Sequence, residues 1–529
     1  MARMAGLVLA LAAVLAAPSG GLAAADDAKS RRDTVPAASL AGKVMCGYQG
    51  WFRCAGDAAD MGWIHWSRDG RRMAPELLCF EMWPDMSEYT PEERYAVPGF
   101  THADGRPAYL FSSDNAATVR RHFRWMRDYG IDGAWLQHFL VDLPGGGPQP
   151  DRYPSRLRVL NLVRAAATET GRVWALSYDI AGMPADRIFD VLTGDWKKQV
   201  EEKVTADPRY LREGGRPVVQ IWGFYRDNEH CRMTAELANR LIDFFKAPGP
   251  HAAFLVAGGD WNWRQNPDPK WQAFLRRFDA YAPWNVGNYV KDADGAVHAS
   301  VAWWAEDKQA CERSGVRWLP VVYPGFSWDN LQSKPPGTTA IPRRGGRFLW
   351  EQFHELSKLG ADAVYVAMFD EVDEGTAVFK VTSDPPTQGH FVGYEGLPSD
   401  WYLRLVGEGA RLLREKRPIP AEIPIKHVRP LAACLPAGGP VPPEDRRPGG
   451  GAPDGRERAE CGGGGPGGGS LGGGSGGRAR PGRAPAGQGG RPHVLRLVGP
   501  AHPDRRQGRP PRPRHRRDEH HGRGRDGLP

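Results

Sequence analysis

Short apolar runs alternate with amphipathic stretches over residues 41–426. Eight runs are typical of buried strands, at residues 44–52, 131–139, 173–179, 218–224, 253–257, 280–284, 318–323 and 363–369. Helical periodicity lies between most of them, at residues 116–129, 155–170, 234–245, 269–278, 302–314 and 347–359. Strands that alternate with helices form parallel sheets, so the pattern predicts an α/β fold, and eight such units fit a (β/α)8 TIM barrel. An open doubly wound sheet is the alternative, although no glycine-rich phosphate turn follows the first run.

The longest interruption of this pattern lies between the first and second runs. It contains His65 and Trp66, a strand-like segment at residues 77–83 and a further apolar segment at 109–112. We therefore expect an insertion after the first strand of the barrel.

The first residues have the pattern of a secretory signal. Arg3 precedes an apolar core at residues 7–17, and Ala23 and Ala25 offer a cleavage site before Asp26. The core is too short to span a bilayer, and no other segment is long and apolar enough. We expect a signal peptide at residues 1–25, a linker at 26–40, and a secreted or periplasmic protein with no membrane span after signal removal.

The composition changes near Arg429. Residues 427–529 are rich in Pro, Gly and Arg, and residues 462–477 are nearly all Gly. Such a segment cannot bury enough apolar surface to offset its chain entropy, so we expect a disordered tail. Reading GC-rich DNA out of frame produces the same bias, so a genuine tail and a frameshift product both stay open, and neither is assigned a function.

Net charge and motifs exclude several classes of protein. The charge of +8 over 529 residues is concentrated in the tail, and the body has no basic stripe of the kind that binds nucleic acid. The chain has no G-x-S-x-G elbow, no H-E-x-x-H and no nucleotide-binding glycine loop. We expect no cofactor, no nucleic-acid partner and a monomer.

Seven cysteines, an odd number, include no C-x-x-C pair. An exported protein permits disulfides, and Cys46, Cys54 and Cys79 offer alternative pairings that spacing alone does not decide. Buried free thiols fit equally well. No Cys/His set has zinc spacing.

The predicted strands end in aromatic and polar residues. These residues are Tyr48, Trp51, His138, Asp179, Trp222, Asp260, Trp261, Tyr323 and Trp328. Each aromatic residue alone fits core packing, but strand ends of a parallel barrel meet at one face. Sugars have apolar C–H faces and polar rims, so this composition, with His65 and Trp66 of the insertion, predicts a carbohydrate cleft.

The last apolar run ends in four carboxylates. Asp370, Glu371, Asp373 and Glu374 follow residues 363–369 directly. Crowded carboxylates repel one another, which raises the pKa of at least one, and a protonated acid beside an ionised one is what glycoside cleavage uses. A solvated acidic turn is the alternative. Calcium binding is a lesser one, because the spacing is not that of an EF-hand loop.

Three segments resemble a known family. Residues 43–52 (KVMCGYQGWF), 62–66 (GWIHW) and 369–376 (FDEVDEGT) are similar to bacterial glycoside hydrolase family 71/99-like proteins, some of which are labelled xylosidase or arabinosidase. The last segment is similar to the Glu-x-x-Glu-Gly motif of family 99, the endo-α-1,2-mannosidases and mannanases. The resemblance implies a (β/α)8 barrel that cleaves α-mannosidic links with retention through a 1,2-anhydro sugar.

The resemblance also implies roles for individual residues. Glu371 matches the base that acts on the sugar 2-hydroxyl, and Glu374 matches the acid that protonates the leaving oxygen. The chain departs from the family at Asp370, where the family has Asn, and at Val372 and Asp373, where it has Trp and His.

These patterns together predict an exported hydrolase of an α-linked polysaccharide or oligosaccharide; a non-catalytic carbohydrate-binding barrel is the alternative. We expect Glu371 and Glu374 to line one cavity, with Glu374 holding the proton. Asp370 and Asp373 are expected to point away from the pair or to support it, and Asp370 is also a candidate sugar contact. The aromatic residues expected to open on the same cavity are Tyr48, Trp51, Trp222, Trp261 and Trp328.

Deleting everything after Arg429 is expected to leave the melting temperature nearly unchanged, because the deleted residues have too little apolar surface to pack on the body. Thermal unfolding followed by circular dichroism compares the two chains. A large drop in melting temperature would show that the tail packs against the body.

Overall fold

The computed structural model describes residues 34–147, 150–226, 228, 230–427 and 493–494, all within one compact unit. The strands are β1 (Lys43–Tyr48), β2 (Tyr95–Thr101), β3 (Pro107–Leu110), β4 (Gly133–Phe139), β5 (Val173–Asp179), β6 (Arg212–Glu213), β7 (Arg216–Phe224), β8 (Phe254–Gly259), β9 (Ala280–Pro283), β10 (Asn288–Lys291), β11 (Val297–Ala299), β12 (Arg317–Trp318), β13 (Val321–Val322), β14 (Ala363–Val366) and β15 (His493–Val494). The helices are α1 (Ala116–Asp128), α2 (Tyr153–Thr170), α3 (Ala185–Glu201), α4 (Ala235–Lys246), α5 (Pro269–Leu275), α6 (Trp304–Arg313), α7 (Arg347–Leu359) and α8 (Trp401–Arg414).

A curled parallel sheet forms the centre of the fold. Its strand order is β12-β9-β8-β7-β5-β4-β1-β14-β13, and β6 joins β7 as an antiparallel edge. The two strands at the ends of this order, β12 and β13, are separated in sequence only by Leu319 and Pro320. The sheet and its helices form an α/β barrel-like fold, in which the carboxyl ends of the strands face one side.

The central strands are apolar throughout because both of their faces are buried. All six residues of β1 and all seven of β4 are buried, as expected for parallel strands covered by helices. Polar side chains cap α1, α4 and α5: Asn115, for example, accepts from the backbone N–H groups of Ala117 and Thr118 at the start of α1.

Each predicted run overlaps at least one strand of the sheet; the run at 173–179 has the same bounds as β5, and the other runs differ from their strands at one or both ends. The run at 318–323 is divided into β12 and β13, since Pro320 has no N–H to donate to a neighbouring strand. β14 ends at Val366, and Phe369 N–H instead donates to the carbonyl of Gly47, at 2.8 Å. Helices α3 and α8 were not identified from the sequence.

The insertion after β1 differs from its prediction. Residues 77–83 do not form a strand, because their backbone groups pair with separate loops: Glu81 N–H donates to Val372 O and Glu81 O accepts from Val392 N–H. The hairpin of the insertion is β2–β3, further along the chain.

The cysteines that the structure describes, Cys46, Cys54, Cys79, Cys231 and Cys311, are buried free thiols. The suggested pairings among the first three are therefore not formed. Two of these thiols donate to backbone carbonyls, Cys54 to Phe111 at 3.1 Å and Cys79 to His65 at 3.2 Å. The remaining cysteines, Cys434 and Cys461, lie outside the described residues.

The predicted signal peptide and nearly all of the predicted tail lie outside the described residues. Two residues of the tail region form β15, which pairs with β10. Over the part of the chain that the structure describes, no helix is long and apolar enough to cross a membrane.

Candidate functional site

A cleft opens at the carboxyl ends of the parallel strands. Residues that follow or end β1, β4, β5, β7, β9 and β14 line it: Gln49, Trp51, Gln137, Phe139, Ser177, Asp179, Trp222, Trp284, Tyr365, Glu371 and Glu374, with Ala181 and Met368. This is the end of the sheet at which barrel enzymes place their active sites.

Glu371 and Glu374 are held by a tight loop after β14. The carbonyl of Glu371 accepts from the N–H groups of Thr376 and Ala377, at 3.1 and 2.9 Å, and the carbonyl of Glu374 accepts from Ser327 N–H at 2.9 Å. Gly375 adopts a φ of +61°, and a Cβ there would lie 2.9 Å from Ser327 N, so the loop requires glycine. Both predicted catalytic carboxyls therefore line the same cleft.

Three carboxyl groups of the cleft bind protons more tightly than usual. Burial, and then the charges of Glu374 and Asp373, raises the pKa of Glu371 well above its ordinary value. Burial and the charge of Asp179 raise the pKa of Glu374 to about 7, and burial raises that of Asp179 to about 7. Both members of the Glu371 and Glu374 pair therefore hold protons at a higher pH than ordinary glutamic acids do.

Asp370 lies beneath the cleft rather than in it. Its side chain is fully buried, and its two oxygens accept from the N–H groups of Gln49, at 2.7 Å, and Gly50, at 3.0 Å. Burial raises the pKa of Asp370 to about 6, although these hydrogen bonds favour the ionised form. Asp370 therefore shapes the turn after β1, which supports the site without contacting its open space.

Asp373 also faces away from the cleft. Its Oδ2 lies 3.5 Å from Nδ1 of His65, and the His65 ring stacks on Trp51 with centroids 3.9 Å apart. Burial, and then the charge of Glu374, raises the pKa of Asp373 well above its ordinary value. His65 thus connects the acidic loop to an aromatic wall of the cleft.

The cleft has two aromatic walls. Trp51 stacks on Phe139 with centroids 4.9 Å apart on one side. On the other side Trp284 contacts the edges of Trp222, at 5.9 Å, and Tyr365, at 5.4 Å. Amide and hydroxyl groups of Gln49, Gln137 and Ser177 complete the lining.

Only two of the five aromatic residues expected here, Trp51 and Trp222, line the cleft. Tyr48 points into the helical layer, where its Oη lies 2.9 Å from His122 Nδ1. Trp328 is buried against Phe326, and Trp261 stacks on Trp303 outside the cleft lining. The expectation that most of the set opens on one cavity is therefore wrong.

Besides Asp370, five further predicted contacts lie outside the cleft lining, and one of them is His65, which stacks on Trp51. Trp66 is buried against Phe52, and His138 Nε2 lies 3.3 Å from Asp195. The Tyr323 hydroxyl donates to Asn288 O at 2.6 Å. The carbonyl of Asp260 accepts from the Tyr281 hydroxyl at 3.0 Å.

Strand alternation explains the residues that were missed. Gln137 and Phe139 point to the cleft, whereas His138 between them points to the helices, because successive side chains alternate across a strand. In the register of β4 and β5, Gln137 pairs with Ser177 and Phe139 pairs with Asp179. Alternation was the signal that could have identified these positions.

The arrangement suits proton transfer to and from a neutral polar ligand. None of the described lining residues is Lys, Arg or His, whereas three of them carry carboxyl groups. Over the described residues, no group of three or more His, Cys, Asp or Glu side chains is arranged to hold a metal ion.

Asp179→Asn is expected to stabilise the protein at pH 8 and not at pH 4. Because the pKa of Asp179 is raised in the folded state, the folded protein binds this proton more tightly than the unfolded chain does. Ionisation of Asp179 therefore reduces stability as pH rises from about 4 to about 7. Asn removes this cost while its oxygen can still accept from Ala181 N–H. We expect a gain on the order of 1–2 kcal/mol, since each pKa unit corresponds to about 1.4 kcal/mol and the carboxyl is partly solvated.

Urea unfolding at both pH values measures this gain. Asp243→Asn, on the exposed side of α4, is the matched control and is expected to change stability little at either pH. A loss of stability at pH 8 in Asp179→Asn would contradict the electrostatic interpretation.

Comparison with known proteins gives a fold but no family. No family model matches the chain, and no curated protein matches it. Among solved structures, the glycoside hydrolase family 99 endo-alpha-mannosidase from Bacteroides thetaiotaomicron matches with a TM-score of 0.53 and 14% identity, over 72% of this chain and 99% of that chain. Its complex with bis-tris propane matches with a TM-score of 0.51 and 14% identity, over 71% and 98%. The chain shares the α/β barrel-like fold of these enzymes.

Proposed function

We propose that the protein is an exported glycoside hydrolase that cleaves an α-linked polysaccharide or oligosaccharide in this cleft. The observation that carries the proposal is the pair Glu371 and Glu374. Two carboxyls three residues apart, both with raised pKa values, line a cleft with aromatic walls at the carboxyl end of the sheet. Perturbed titratable groups in a cleft are typical of catalytic sites. Export is supported by the sequence pattern of residues 1–25.

We infer that the sheet closes into an eight-stranded (β/α)8 barrel. β12 pairs with β9 and β13 pairs with β14, so one interrupted strand contacts both neighbours that closure requires. In a closed barrel the cleft occupies the face on which such enzymes carry out their chemistry.

The shared fold supports an α-linked substrate. The two solved structures are endo-alpha-mannosidases of family 99 by their descriptions, and the Glu-x-x-Glu-Gly motif of residues 371–375 resembles that family. Fragments of α-mannan are therefore the first substrates to test, followed by α-glucan, xylan and arabinan fragments.

The pair divides the acid and base roles. Glu374, whose pKa is about 7, suits the group that donates a proton to the leaving oxygen, since an acid works best when its pKa is near the working pH. Burial raises the pKa of Glu371, whereas the neighbouring Gln49 side chain acts in the opposite direction and favours the ionised form, the form that a base needs. The pair must hold one proton in total, so activity should follow a bell-shaped pH profile.

Glu374→Gln is expected to lower kcat about 10²–10⁴-fold on natural oligosaccharides, because it removes the general acid. On a dinitrophenyl glycoside, whose leaving group needs no proton, the same variant is expected to lose far less. Glu371→Gln is expected to lose activity on both substrates, and Asp373→Asn to show a milder loss. Rates of product release measure all three, with Glu355→Gln on the outside of α7 as control.

Full activity in either Glu→Gln variant would refute the pair as catalyst. A parent protein that binds oligosaccharides in the cleft without releasing product would instead identify a non-catalytic carbohydrate-binding barrel.

A further inference from the structure

We propose that Gln49 is the specificity residue of the cleft: its amide nitrogen donates to Glu371, and its amide oxygen accepts a hydrogen bond from a sugar hydroxyl beside the cleaved bond. This inference rests on the proposed function and names the feature that the substrate must carry. The substrate class is a neutral sugar with that hydroxyl free.

The backbone of Gln49 is fixed on both sides. Its N–H donates to the buried Asp370 at 2.7 Å, and its carbonyl accepts from Arg156 Nη1 at 3.2 Å. Arg156 is itself held by Asp142, with Nη2 2.7 Å from Oδ2. Because both backbone groups are held by buried charged side chains, the Gln49 side chain starts from a fixed point at the edge of the cleft.

The two ends of the Gln49 amide have different surroundings. The side chain lies with Glu371 in the cleft lining, where it favours the ionised carboxylate. Gln49 is only 6% exposed, and its buried Oε1 has no hydrogen-bond partner among the described residues. Leaving a buried carbonyl oxygen unpaired costs stability, so a ligand hydroxyl that donates to it gains a favourable hydrogen bond.

A ligand hydroxyl fits this free oxygen. Gln49 lines the cleft next to Glu371, so a group that donates to Oε1 lies within the reach of that carboxyl. The amide then holds the hydroxyl and the carboxylate together, as a base acting at that hydroxyl requires. The other amide at this depth, Gln137, already donates to the Tyr365 hydroxyl at 2.8 Å.

The test is a series of monodeoxy aryl glycosides of the sugar that the parent cleaves. Removal of the hydroxyl that contacts Gln49 is expected to lower kcat/KM of the parent about 5- to 150-fold, the usual cost of leaving a buried polar group unpaired. Gln49→Met, which keeps the length of the side chain and removes both amide groups, is expected to show almost no dependence on that hydroxyl. Gln49→Glu keeps an acceptor and is expected to retain the preference.

The proposed hydrogen bond from the Gln49 amide nitrogen to Glu371 is tested by a measurement that does not depend on enzymatic activity. In the Glu374→Gln background, Glu371 is freed from its catalytic partner, and carbon-13 NMR of its carboxyl reports its pKa. Gln49→Met is expected to raise that pKa by about one unit, since a hydrogen bond to a charged group is lost. A merely structural role of Gln49 would not move this titration in a folded variant.

Gln352→Met is the matched control. Gln352 is a buried amide of α7 that donates to Tyr323 O at 2.7 Å, away from the cleft. The Gln352→Met substitution is expected to lower stability. It should leave unchanged both the ratio of kcat/KM between the intact and deoxy substrates and the pKa of Glu371. If Gln49→Met does not fold, Gln49→Glu and the deoxy series on the parent still decide the outcome.

The proposal would be overturned if removing the hydroxyl lowered kcat/KM equally in the parent and in Gln49→Met. It would also be overturned if removing any single hydroxyl left kcat/KM of the parent unchanged. If the parent cleaves no glycoside, the hydrolase function fails, and the same comparison is made on dissociation constants of oligosaccharides. A hydroxyl preference that Gln49→Met abolishes there supports the role of Gln49 alone; no such preference in binding overturns it.

Discussion

The buried carboxylate of Asp370 connects the carboxyl ends of β1 and β14, which are the first and last strands of the central sheet in chain order. It follows β14 in sequence and accepts from the N–H groups of Gln49 and Gly50, the two residues that follow β1. The approach of these strands is close: Phe369 N–H donates to Gly47 O, and a Cβ on Gly47 would lie 2.2 Å from the Met368 side chain. Glu371 and Gln49 start from this junction, so the geometry of the cleft depends on it.

The site brings five carboxyl groups close together, an arrangement that is unfavourable when they are ionised. Glu371, Glu374 and Asp179 share one cleft, and Asp370 and Asp373 lie buried behind it. Burying carboxylates near one another is unfavourable, and their raised pKa values express that cost. Stability given up at one location is common where a protein carries out chemistry, because the reacting groups need unusual proton affinities.

The supporting contacts make the acidic loop rigid. His65 lies between Asp373 and the Trp51 ring, while Ser327 N–H holds the carbonyl of Glu374. The loop is therefore tied both to the insertion after β1 and to the segment after β13. Fixed placement of catalytic groups lowers the reorganisation needed during reaction.

The sequence alone determined the α/β alternation and the position of Glu371 and Glu374 in the cleft, because burial of parallel strands requires apolar runs and the acids follow the last run directly. It could not decide which aromatic residues reach the cleft. Tyr48, His138 and Trp328 lie at or after strand ends, as Trp51, Phe139 and Trp222 do, but their side chains point away from the cleft. That direction is set by strand parity and by where each strand ends, and the ends are set by contacts such as Asp370 with Gln49, made by residues far apart in sequence. Tertiary structure also decided that Glu371, Glu374 and Asp179 all have raised pKa values, since burial and neighbouring charges, rather than residue type, set each pKa.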